Sequence, residues 1–178
     1  MKTLTNRLPR PTEIEPVLGL LFFAIFTWSI RGFLSELPSF LLYYNLGDIF
    51  GVFSYMMAFA LLESLIIMGL LLFIAFIFPE KWLREKFAHK ATVIVLVAGG
   101  AMIYLQNILT FQLPSLKELI LGTGVPLLTL IVLFFLLARN LRLQLILENI
   151  LERFKIFSYI YVPLGLIGSF VVIIRNVL

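Results

Sequence analysis

The chain has 178 residues, of which 61% are hydrophobic and only 13% charged, and its mean hydropathy is +1.06. Soluble domains carry about a quarter charged residues, and a chain this short cannot hide so much apolar surface from water, so composition excludes a soluble fold. The net charge of +4 does not point to nucleic acid, because the basic residues flank apolar runs instead of forming one patch; the lack of cysteine excludes disulfides, thiolate nucleophiles and sulfur metal ligands.

In chain order, the opening MKTLTNRLPRPTEIEP is polar and lacks a compact apolar region followed by a small-residue cleavage site, so the first span is expected to stay in the mature protein. Five apolar segments follow, at about 16–36, 49–78, 91–110, 119–138 and 156–176, each matching the ~20 residues a transmembrane helix needs. Thr12-x-x-Glu15 and Ser115-x-x-Glu118 fit capping boxes before the first and fourth spans. Between the first two spans, SELPSFLLYYNLGD is aromatic but broken by Pro38 and Gly47, which predicts an interfacial segment that keeps the Tyr43 and Tyr44 hydroxyls wet. Between the fourth and fifth, NLRLQLILENILERFK places Leu143, Ile146, Leu147, Ile150, Leu151 and Phe154 at helical spacing, which predicts an amphipathic interfacial helix at about 140–155 on the inner leaflet.

Small residues mark expected helix contacts at Gly47 and Gly51, at Ala98 to Ala101, and at Gly165 and Ser169; Pro126 and Pro163 are expected to loosen their spans. Of the 14 Lys and Arg residues, only Arg31, Lys117 and Arg175 lie toward the side opposite the N-terminus. The positive-inside rule therefore predicts a cytoplasmic N-terminus and an outside C-terminus. The predicted fold is an all-α integral membrane protein, a single membrane-embedded domain over 1–178 with five transmembrane helices and one interfacial helix.

Glu63 is a carboxylate inside a span, 15 positions from Phe78 and so about 22 Å into a ~30 Å core. The same count from Pro16 reaches Arg31, and from Ala91 it reaches Gln106, next to Asn107. Equal depth predicts a polar layer in which Arg31 pairs with Glu63 and the two amides fill the remaining hydrogen bonds; a protonated Glu63 bonded to an amide is the alternative. Such a layer serves as a packing clamp, a ligand or lipid-headgroup site, or a proton-transport site. Glu36 and Asp48, near the outer surface, are weaker candidates for an outer vestibule.

The chain carries no P-loop, nucleophile elbow, HExxH or dinucleotide fingerprint, and its single histidine, His89, is read as an interfacial residue with Glu85 its only nearby carboxylate. No catalytic residue, metal site or cofactor is expected. The reading is a non-catalytic subunit, scaffold or binding module in a bacterial-type cytoplasmic membrane, whose partners are the lipid bilayer and a membrane protein or a second copy. The alternatives are a small oligomeric transporter or channel using the Arg31/Glu63 layer, and an enzyme acting on lipid near the outer leaflet.

Overall fold

The computed structural model describes residues 9–78, 85–109 and 115–177. These form five helices, α1 (Pro11–Tyr43), α2 (Leu46–Ile77), α3 (Phe87–Leu109), α4 (Leu116–Arg139) and α5 (Leu141–Val177), and no strand occurs among them. All five are long and apolar enough to cross a membrane. The chain runs up and down, so α1, α3 and α5 begin at one end of the bundle, called here the first end, and α2 and α4 begin at the other.

The core is the α1–α2–α5 trio. Helices α1 and α5 run parallel, joined by an aromatic ladder in which Phe23 meets Phe154 and Phe157 at 5.1 and 4.6 Å between ring centroids and Phe26 stacks on Tyr161 at 4.7 Å. They approach closely because Gly19 lies against the backbone of Phe154, where any Cβ would collide with the carbonyl. Helix α2 runs antiparallel to both. Gly165 and Gly168 of α5 sit on Leu61 and on the Ser54 carbonyl, where added Cβ atoms would come within 2.7 Å in each case. Backbones that approach this closely gain many van der Waals contacts, and this fit holds the three helices together. At the first end Val17, Leu21, Met68, Leu71, Phe87 and Ala91 form a second buried cluster that brings in α3. Helix α4 buries little of its surface and packs chiefly along α3.

Several expected boundaries move. Pro38 does not end the first helix: α1 continues to Tyr43, because one lost backbone bond is offset when Phe40 packs on Phe33, at 6.0 Å, and on Tyr44, at 5.9 Å. The expected interfacial segment is thus the last turns of α1, with Tyr43 and Tyr44 exposed. The stop comes at Tyr44 in extended conformation, and Asn45 caps α2 by accepting from the Asp48 amide at 2.9 Å. The separate interfacial helix at 140–155 is also corrected. Its residues are the opening turns of the 37-residue α5, which continues through Pro163: neither Pro nor Gly interrupts 141–162, and neighbouring helices grip Gln144, Phe154 and Lys155. Likewise α4 is continuous through Pro126.

Of the two expected capping boxes, Ser115 and Glu118 form theirs. Thr12 and Glu15 do not: α1 starts on Pro11 with Arg10 at the N-cap position and no side-chain cap bond, while the acidic residues of its first turns reach other helices.

Candidate functional site

Among the described residues Arg31 and Glu63 do not pair with each other. Arg31 is exposed on α1 and its guanidinium lies over the Trp28 ring, 5.4 Å from the centroid. Glu63 is exposed on α2, on the arc that also carries Phe59, Leu62, Ile66, Leu70 and Phe73, and makes no ion pair or hydrogen bond among the described residues. Gln106 is exposed on α3, and the side chain of Asn107 lies outside the described residues. The reason is register. Equal depth assumed that Pro16 and Phe78 stand level, but Gly32 packs on Met56 and Phe33 on Phe53, with ring centroids 5.1 Å apart. From that level Glu63 is seven residues toward the first end and Arg31 only one, an offset of about 9 Å along the bundle at 1.5 Å per residue.

The polar chemistry gathers at the two ends. At the second end Arg175 of α5 bonds Asp48 at 2.6 Å and the Gly47 carbonyl at 3.4 Å, and its guanidinium occupies the space a side chain at Gly51 would need. Asn176 donates to the Tyr55 hydroxyl beside it. Asp48 is therefore part of a polar cluster, but its partner is Arg175, while Glu36 is exposed on α1 and outside that cluster.

The first end holds the richer arrangement, where α1, α3 and α5 meet. The Phe87 amide, at the start of α3, donates to Glu13 of α1 at 3.1 Å, so a carboxylate from another helix satisfies one of α3's free N–H groups. Just before it, Lys86 adopts φ 59°, a left-handed conformation costly for a residue with a Cβ. That strain is held in place by what the side chain does: Lys86 Nζ donates to Gln144 Oε1 of α5 at 2.6 Å. His89, in the first turn of α3, reaches the backbone of the same residue, with Nε2 3.0 Å from the Gln144 carbonyl oxygen. A carbonyl only accepts, so Nε2 carries the proton. His89 Nδ1 is enclosed with no hydrogen-bond partner. Lys155 pairs with Glu15 at 3.8 Å, and Lys90 follows His89 on α3.

Two members of this junction escape a reading of the sequence alone. His89 bonds α5 and not Glu85, which is exposed. Gln144 is an uncharged residue inside an amphipathic pattern, and only its place at the same end as Lys86, His89 and Lys90 hints at the meeting. Among the described residues no group of three or more His, Asp or Glu side chains could hold a metal ion. No protein-family model, curated protein or solved structure matches this chain.

Proposed function

We propose that the chain is a multi-pass integral membrane protein acting as a non-catalytic subunit, scaffold or binding module, with its N-terminus in the cytoplasm. The observation that carries this reading is where the polar side chains go: Glu13, Lys86, His89, Asp48 and Arg175 all tie one helix to another. Meanwhile α4 and the small-residue strip Ala98, Gly99 and Gly100 present open surface, with nothing within 4 Å of a Cβ added at either glycine. Such a surface admits the close approach of a further helix.

A second reading, a small oligomeric transporter or channel, is favoured by Arg31 and Glu63. Both stand on exposed faces inside apolar helices, where a charge is costly unless a neighbouring chain or water solvates it. Purification in gentle detergent followed by native mass spectrometry separates the two. The first reading predicts a foreign membrane subunit at fixed stoichiometry. A homo-oligomer that dissociates on Glu63→Leu supports the second, and a monomer unaffected by that substitution contradicts both.

A further inference from the structure

Arg31 and Glu63 stand well inside apolar helices, and neither has an ion-pair partner among the described residues. The Arg31 guanidinium lies over the Trp28 ring, and Glu63 makes no hydrogen bond there. Glu63 is 14 residues or more from either end of α2, about 21 Å of helix, so its side chain cannot reach the ends. A carboxyl group at that depth is costly unless protein supplies a partner. Each of the two residues also stands on an exposed seam. Phe59, Glu63, Ile66 and Leu70 follow one another on α2 at spacings of four, three and four, and Ala24, Trp28, Arg31 and Ser35 repeat that spacing on α1. Helices pack along this repeat with a slight left-handed twist, and the small Ala24 and Ser35 permit a close approach.

We propose that these two seams form the interface of a two-fold homodimer, in which Arg31 of each copy donates to Glu63 of the other. Complementarity selects a second copy as the occupant: the chain offers one guanidinium and one carboxyl group, so it is its own complement, and two-fold symmetry makes the contact twice. An axis along the membrane normal keeps both copies at one depth, so the two residues start about 9 Å apart along the bundle. Their side chains close that distance. In a helix they lean toward the N-terminus, and α1 and α2 run in opposite directions, so Arg31 leans toward the first end and Glu63 toward the second, each toward the level of the other. The Arg31 guanidinium already lies over Trp28, three residues in that direction. Arginine donates to a carboxyl oxygen whether or not the acid holds its proton, so the contact stands in either state of Glu63. The inference rests on the membrane reading and supplies the contact for the oligomeric one.

The test co-expresses two differently tagged copies of the full chain and reads the dimer fraction by native mass spectrometry in gentle detergent. The unsubstituted chain should give a dimer containing both tags. Glu63→Leu and Arg31→Leu, which put apolar side chains on lipid-facing positions and so spare the fold, should each weaken it on the order of tenfold. Glu63→Arg sets two guanidinium groups against each other and should be monomeric. Mixing it with Arg31→Glu should restore a dimer holding one copy of each variant, because the exchanged groups complement one another only across the interface; a pair within one chain would gain nothing from mixing. A monomeric unsubstituted chain, a dimer indifferent to both leucine substitutions, or a mixture without the mixed dimer overturns the proposal. Proton flux into liposomes tests the transport reading separately: a dimer without flux removes transport and keeps the interface, and flux through a monomer removes the interface and keeps transport.

Discussion

Gly19 shows how much one missing methyl group decides. Its Cα rests against the Phe154 carbonyl, so α1 and α5 touch backbone to backbone and bring Phe23 within reach of Phe154 and Phe157. Alanine there must push the helices apart against rigid backbone, an overpacking cost of about 1–3 kcal/mol. Gly69, by contrast, faces open space, and alanine there should be neutral or slightly favourable through helix propensity. Thermal unfolding in detergent should therefore show a lower midpoint for Gly19→Ala and none for Gly69→Ala; equal midpoints would remove the backbone contact from the account. Residue chemistry explains why the site was only partly legible in the sequence. Glu63 and Arg31 stand out because charge inside an apolar run is rare, whereas Gln144 carries no charge and becomes informative only when Lys86 and His89 meet on it. Counting residues from span ends gave the wrong level for Arg31 and Glu63, since the actual register is set by packing such as Phe33 on Phe53, which no local pattern encodes.

Helices themselves were readable, because a helix satisfies the backbone of a long apolar run within the run itself, and each of the five is long and apolar enough to cross a membrane. Their ends were less so. Asn45, with Asp48 three residues on, marks the start of α2 and the Ser115–Glu118 box marks that of α4, both local signals. The start of α3 uses a carboxylate 74 positions away in sequence, which only the fold can supply. Removing it should loosen that end specifically. Glu13→Ala is expected to cost about 0.5–2 kcal/mol, as for other helix caps, and to speed deuterium exchange over residues 87–91 while α5 beyond Phe157 is unchanged. Glu13→Gln keeps an oxygen acceptor and should fall between the two. Exchange in 87–91 that is indifferent to Glu13→Ala would contradict the cross-helix cap. The same reasoning covers α5: amphipathic spacing in its first turns describes a helix correctly, but only contacts with α1 and α3 decide that it continues the fifth span.

For the whole molecule, five helices of alternating direction, each long and apolar enough to cross a membrane, place the connection at Tyr44 and Asn45 and the start of α4 at one end, and Glu85 and the α4–α5 junction at the other. Arg10, Lys86, Lys90, Arg139 and Arg142 share the first end, against Lys117 and Arg175 at the second, which is the asymmetry the positive-inside rule reads. The absence of cysteine from the sequence makes this directly measurable. Single substitutions Tyr44→Cys, Glu85→Cys, Lys117→Cys and Arg142→Cys, each in sealed cells expressing the full chain, are treated with a membrane-impermeant maleimide before and after permeabilisation. The account predicts that Tyr44→Cys and Lys117→Cys label in intact cells and that Glu85→Cys and Arg142→Cys label only after permeabilisation. Labelling of all four from the same side would contradict a five-span bundle.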